Sequence, residues 1–254
     1  MNQPSIIVYG HKLSNCVQRV LLLLEEKGLT YDFRQVSLID SEQLGDDFLA
    51  INPRGRVPAV QIGQDIFIES CDIMREIEKR FSDNSFIPQR HDEREVMEYF
   101  VEKAKASHPT VKDLVYSRGI GRLPTDEELA IYDRVDEENA SFHHQRRAGK
   151  IGCDLEKATQ AMMNDFKEIE QALEGKQWIA GPFSLADMAW FPNALIFRLC
   201  DMKLEGLPNV ADWIARMKQR ESYCTGLKHD VERLPGWLIR AFMWVKRRMQ
   251  PSRY

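Results

Sequence analysis

The chain has 254 residues, 43% hydrophobic and 29% charged, with a formal net charge of -4. This is the composition of a soluble globular protein of one large or two modest domains, and its acidic balance offers no electrostatic case for nucleic acid as a partner. The five cysteines, at 16, 71, 153, 200 and 224, form no Cys-x-x-Cys pair and no His/Cys ligand spacing. That argues against a dithiol redox centre or a metal site and for a reducing, cytoplasmic compartment. Met1-Asn2-Gln3-Pro4 lacks a basic segment followed by a long apolar one, so no secretory signal is expected. No apolar run approaches the ~18 residues of a membrane span.

Ser5–Tyr9 predicts a first strand. Val17, Val20, Leu21 and Leu24 fall at i, i+3, i+4 and i+7, which predicts a helix from Cys16 to Lys27 stopped by Gly28. Tyr31, Phe33 and Val36 suggest a loose second strand, and the polar Asp40–Leu49 a loop with a short helix. Asn52-Pro53-Arg54-Gly55-Arg56 is a turn. Ala59–Ile62 and Ile66–Ile68, separated by Gly63-Gln64-Asp65, predict a hairpin, after which Ser70 starts a helix carrying Ile73, Ile77 and Phe81. Residues Ser82–His91 read as a linker. Beyond it the pattern turns helical: Asp92–Lys105, Thr125–Gly149, Asp154–Leu173, a helix opened by Ser184-Leu185-Ala186-Asp187 and continuing to Cys200, and Val210–Glu221.

The tail Leu234–Met249 joins Trp237, Leu238, Ala241, Phe242 and Val245 to Lys246-Arg247-Arg248. It fits either an interfacial helix on a membrane surface or a C-terminal helix docked on the core or a partner subunit; docking is the preferred expectation.

The chemistry points to Ser14-Asn15-Cys16, between the first strand and the first helix. The first turn of a helix has unpaired N–H groups and a partial positive charge, both of which favour a thiolate, either of Cys16 or of a bound ligand.

Several motifs occur in order: Tyr9-x-x-x-x-Ser14-x-Cys16-x-x-Arg19-Val20, Glu25-Glu26-Lys27-Gly28, Asn52-Pro53-x-Gly55-x-Val57-Pro58, Glu69-Ser70 and Ser184-Leu185-Ala186-Asp187. Together they resemble the glutathione transferase superfamily over about residues 5 to 225. The resemblance implies a thioredoxin-like α/β domain over 1–81, an all-α substrate-binding domain over 92–254, glutathione as co-substrate and a homodimer. It implies a cis peptide before Pro58 that orients the Val57 backbone toward the cysteinyl part of glutathione. Arg56, Val57, Pro58, Glu69 and Ser70 form the implied glutathione site, with Glu69 on the ligand's ammonium and the helix start at Ser70 on its carboxylate.

Two chemistries remain open. Ser14 is the first candidate, donating a hydrogen bond to the glutathione sulfur, with Asn15 as a second donor; Cys16 is the rival, itself a nucleophile that forms a mixed disulfide. Ser-x-Cys is similar to the zeta class, which uses the serine, and to the tetrachlorohydroquinone dehalogenase class, which uses the cysteine. Asn15 and Val17 depart from the zeta pattern, and Asn52-Pro53-Arg54-Gly55 with Arg146-Arg147 is more like the dehalogenase and bacterial β-etherase groups. Those groups displace a halide or an aryloxide with glutathione. The implied function is detoxification-type attack of a glutathione thiolate on a small electrophile. The alternatives are a non-catalytic binding or membrane-associated relative and a Cys16 thiol-transfer enzyme. His143-His144 and Arg146-Arg147 are expected as a solvated or a substrate-facing basic patch; in the second case they would join Arg118 and Arg122 in recognising an acidic or phenolic substrate. Tyr9, Met162-Met163 and Trp190 are expected in the core.

Overall fold

In the computed structural model the described residues are 4–117, 121–150, 155–200, 203 and 205–232, the side chains of 198–200 excepted. Strand β1 (Ile6–Gly10) leads into α1 (Asn15–Glu26) and β2 (Asp32–Gln35). A 3-10 turn (Glu42–Leu44) and α2 (Asp46–Leu49) precede the hairpin β3 (Ala59–Ile62) and β4 (Asp65–Ile68), which feeds α3 (Ser70–Arg80). The sheet order is β2-β1-β3-β4. β1 runs parallel to β2, with Ile7 opposite Asp32, and antiparallel to β3, with Tyr9 opposite Ala59. The parallel pair needs a crossover, and α1 supplies it.

Side chains alternate across β1. Ile6 and Val8 join the large core with α1 and α3, while Ile7 and Tyr9 pack with Val36 and Phe48 on the opposite face. The sequence stripe on α1 understates its burial. Leu22 and Leu23 lie off that stripe, yet every residue from Val17 to Leu24 is buried. The reason is tertiary: the helical half covers the face of α1 that the sheet leaves open.

That half comprises α4 (His91–Ala106), α5 (His108–Ser117), α6 (Asp126–Val135), α7 (Glu137–Arg147), α8 (Leu155–Ala172), α9 (Leu185–Cys200), α10 (Pro208–Gln219), α11 (Glu221–Gly226) and α12 (Lys228–Glu232). The single helix expected over 125–149 is two. Asp136 adopts extended backbone (φ -160°, ψ 96°) and its carboxylate accepts from the Asn139 N–H, capping α7. A short acid that bonds the backbone locally competes with helix continuation. α5 was not expected: His108-Pro109-Thr110 carries little helical signal, although proline is tolerated in a first turn. The tail at 234–249 lies outside the described residues.

Asp187 anchors α9. Its carboxylate accepts from the backbone N–H groups of Ile179 (3.1 Å) and Ser184 (2.9 Å) and from Trp213 Nε1 (2.9 Å). Burial pushes this carboxyl up to about 6, against those hydrogen bonds. Trp190, fully buried, donates its indole N–H to the Phe100 carbonyl at 2.7 Å and ties α9 to α4.

Candidate functional site

The first turn of α1 is brought close beneath the sheet by Gly10, where a Cβ would stand 2.6 Å from Val17 Cγ2. Ser14 is the N-cap residue; its N–H donates to the His11 carbonyl at 2.8 Å, and its side chain caps no helical N–H. Its half-buried hydroxyl therefore has no hydrogen bond among the described residues. Asn15 points inward instead of toward a ligand. Its amide donates to Asn193 Oδ1 (2.8 Å), and Asn193 donates in turn to Ser107 Oγ (3.1 Å). This buried chain joins α1, α9 and the α4–α5 corner, so the side-chain amide of Asn15 is already engaged as a structural donor.

Cys16 occupies the most polarised position. Its Sγ lies 3.5 Å from His108 Nδ1, at the start of α5, and 4.0 Å from Arg19 Nη1. Arg19 is 1% exposed. Nε donates to the Ala189 carbonyl and Nη2 to the Ala104 carbonyl, both at 2.9 Å, while Nη1 reaches Ser70 Oγ (3.4 Å) and Cys71 Sγ (3.9 Å). Among the described residues no carboxylate pairs with this guanidinium, so its charge is balanced only by dipoles and by whatever anion forms beside it. Burial pushes the Cys16 thiol up, but the charges of His108 and Arg19, with hydrogen bonds from His108 and Ser70, outweigh it and hold the thiol at about 6. Cys71, deeper in the core, is pushed up by burial.

The expected glutathione residues cluster beside this turn. Val57–Pro58 is cis. Glu69 has φ 68° and ψ 109°, an unusual backbone for a non-glycine residue, and directly precedes α3. Its carboxylate pairs with Arg54 at 2.6 Å. Ser70, buried, opens α3 and is joined to Cys16 through Arg19. Asn52 holds the intervening turn, donating to the Arg56 carbonyl and accepting from the Arg54 N–H. Arg56 itself turns away from this cluster: its guanidinium grips Asp136 on two atoms and Glu138 at 2.8 Å, clamping the start of α7 onto the turn.

The basic patch expected on the helical half is not assembled as a substrate surface. His143 is buried and stacked on Tyr132 (4.5 Å between ring centroids), and burial holds it down to about 3. His144 pairs with Asp133, Arg122 with Glu128 and Arg147 with Asp126. Arg146 donates to the carbonyls of Gly121 and Arg122. Arg118 lies outside the described residues. Tyr9 and Met162 are core residues as expected, and Met163 packs on the core's edge.

His108 and Arg54 were missed. His108 sits 92 positions from Cys16 in a Ser-His-Pro step with no spacing signal, and Arg54 was read as part of a turn and of a family-like motif, without its partner Glu69. The Arg19 in the quoted motif was visible, but its contact with Ser70 across 51 residues was not.

Residues 13–80 match the family model of the glutathione S-transferase N-terminal domain, and 132–216 that of the C-terminal domain. The chain is 26% identical over 269 aligned positions to a glutathione S-transferase TCHQD of Arabidopsis thaliana, spanning 97% of this chain and 99% of that protein. A zeta-class glutathione S-transferase of Euphorbia esula is 36% identical over 87 residues, 34% of this chain and 39% of the relative. Among solved structures, the β-etherase LigF from Sphingobium sp. strain SYK-6 superposes with a TM-score of 0.73 at 22% identity, covering 91% of this chain and 100% of that one.

Proposed function

Because this chain belongs to the glutathione S-transferase superfamily, a family of enzymes that takes glutathione as co-substrate, we propose that it transfers the glutathione thiolate to a small aromatic or halogenated electrophile. The sulfur forms a bond to the carbon under attack while that carbon's bond to an aryloxide or halide breaks, and the leaving group departs with the electron pair. The thiol proton is lost to solvent as glutathione binds. The observation that carries this proposal is the link through Arg19. It joins the start of α3, where a ligand carboxylate meets free N–H groups, to the first turn of α1, where a ligand thiolate is stabilised.

In this scheme residues 1–81 form the glutathione-binding domain and 92–254 the electrophile-binding domain. Val57 offers its backbone to the cysteinyl unit. Glu69 holds the ligand ammonium, and the N–H groups at Ser70 hold the carboxylate. Arg54 orients Glu69 through their ion pair. Arg56 acts as a clamp between the domains, and Pro58 shapes the turn. Ser14, whose hydroxyl is uncommitted, donates to the sulfur. The protein works as a cytoplasmic homodimer, and sedimentation velocity tests that assembly.

Cys16 supports a second chemistry, because His108 and Arg19 polarise its sulfur. Its thiolate would attack the glutathione sulfur of a mixed disulfide, forming a Cys16–glutathione disulfide and releasing the other thiolate. A second glutathione thiolate would then free Cys16 and leave as oxidised glutathione.

Ultraviolet titration of the glutathione complex in wild type, Ser14→Ala and Cys16→Ala separates the two. Glutathione transfer through Ser14 predicts a depressed ligand thiol that only Ser14→Ala restores. Thiol transfer predicts that Cys16→Ala alone abolishes reduction of a glutathione mixed disulfide. Absence of glutathione binding in wild type defeats both.

A further inference from the structure

Two thiols meet one guanidinium nitrogen. Arg19 Nη1 lies 4.0 Å from Cys16 Sγ and 3.9 Å from Cys71 Sγ, so the sulfurs stand no further apart than the sum of those contacts. The Ser70 hydroxyl, 3.4 Å from the same nitrogen, favours the thiolate of both. Cys71 is also close enough for the charge of Cys16 to help push it up. No Cys-x-x-Cys spacing announces this pair. Each cysteine is the second residue of its helix, Cys16 in α1 and Cys71 in α3, and the packing of those helices in the large core brings the two first turns together.

The two sulfurs differ in access and in acidity. Cys16 is half-buried, whereas Cys71 is 1% exposed and donates to the Val101 carbonyl at 3.6 Å. A disulfide arriving from solvent therefore meets Cys16 first, and Cys71 stands behind it on the core side. His108 and Arg19 hold Cys16 largely as the thiolate at neutral pH, while burial keeps Cys71 protonated. The first attack thus belongs to Cys16. Cys71 suits the second, because a less acidic thiol is the stronger nucleophile once ionised. Its place on the core side also selects the sulfur it attacks: Cys16 Sγ is the nearer one, and a glutathionyl sulfur bound to Cys16 from solvent lies beyond it.

We propose that Cys71 is a second catalytic thiol, which resolves the mixed disulfide between Cys16 and glutathione by closing an internal Cys16–Cys71 disulfide. The proposal rests on the Cys16 thiol-transfer chemistry above and changes how its intermediate is consumed. The Cys16 thiolate first takes the glutathionyl sulfur from a glutathione mixed disulfide and releases the other thiolate. The Cys71 sulfur then bonds to Cys16 Sγ as the bond from Cys16 to the glutathione sulfur breaks. The electron pair leaves on glutathione, and the proton lost by Cys71 passes through solvent to that thiolate. The two electrons that reduce the substrate come from the Cys16–Cys71 pair, and two glutathione molecules restore both thiols and leave as oxidised glutathione. Closure brings the sulfurs to about 2.0 Å and turns both side chains about χ1. The reduced state keeps a thiolate beside His108 and Arg19 that the disulfide gives up, so this disulfide is easily reduced, as a catalytic one must be.

The test treats the reduced full-length protein with excess oxidised glutathione, blocks remaining thiols with N-ethylmaleimide and maps the unreduced tryptic peptides by mass spectrometry. Cleavage after Lys12, Arg19, Arg56 and Arg75 puts the two cysteines in separate peptides, Leu13–Arg19 and Val57–Arg75. Wild type is expected to yield these peptides joined, with the loss of two hydrogens and no lasting glutathione on Cys16. Cys71→Ser, which keeps the size of the side chain, is expected to stop with glutathione on Cys16. Wild type that also stops at the Cys16–glutathione adduct overturns the proposal and leaves Cys16 thiol transfer standing. Wild type and variant that both keep a free Cys16 thiol overturn the thiol-transfer chemistry and the proposal together. Joined peptides in wild type with no adduct in Cys71→Ser overturn the proposal as well, since closure then does not pass through the mixed disulfide. The wild-type map separates the first two results even where the variant folds poorly.

Discussion

Replacing His108 by asparagine removes the nearest charge partner of Cys16 while keeping a polar side chain at the start of α5. The imidazole nitrogen lies 3.5 Å from Sγ, and the wild-type thiol is held at about 6 even though burial opposes ionisation. An opposite charge at this range changes acidity by roughly 10- to 1,000-fold. Arg19 remains in the variant, so a value near the middle, about a hundredfold, is expected. At pH 6.5 the wild-type thiol is then about three-quarters ionised and the variant roughly 3%, so alkylation by iodoacetamide should slow about twentyfold. Peptide mass spectrometry would follow modification at Cys16 itself, apart from exposed Cys224 and buried Cys71. The pH–rate profile should have its midpoint near 6 in wild type and clearly higher in His108→Asn. Superimposable profiles would refute the claim that the helical half activates this sulfur.

Removing the Asp187 carboxylate in Asp187→Ala strands the Ile179 and Ser184 N–H groups and the Trp213 indole N–H, at roughly 1–3 kcal/mol for each unsatisfied donor. A loss of about 3–5 kcal/mol is expected by urea denaturation. Because burial raises this carboxyl to about 6, the folded state holds the proton more tightly than the unfolded chain. Its contribution is full below the unfolded carboxylate range and is lost as pH rises through about 6. The gap between wild type and variant should therefore narrow from pH 4 to pH 7, and a widening gap would contradict that sign. Glu69→Gln should raise the KM for glutathione by about tenfold with a smaller change in kcat, since it weakens ground-state binding. Gly10→Ala drives a methyl into Val17 and should cost about 1–3 kcal/mol; an unchanged Tm would show that the strand-to-helix approach is looser than described.

Most of the fold was legible because its signals are local. β1, the β3–β4 hairpin and α3 follow from short apolar runs bounded by turn residues, and α1 from a stripe ended by Gly28. Two errors in the helical half share one cause. Asp136 and Ser-His-Pro at 107–109 decide between continuing and breaking a helix through contacts made elsewhere. Asp136 is held by Arg56, 80 residues away, and Ser107 accepts from Asn193, 86 residues away. No window of sequence contains those partners.

At the site, residue types and their order along the chain determined by themselves that a hydroxyl and a thiol open a helix, that a proline turn precedes a strand and that an acid precedes the next helix. Chain order cannot supply the electrostatics, because charges act through space. Only the tertiary structure placed His108 and buried Arg19 on Cys16, turned Asn15 inward and spent Arg56 on α7. Each outcome follows from which charges share a low-dielectric pocket, and that depends on how the helical half packs across α1.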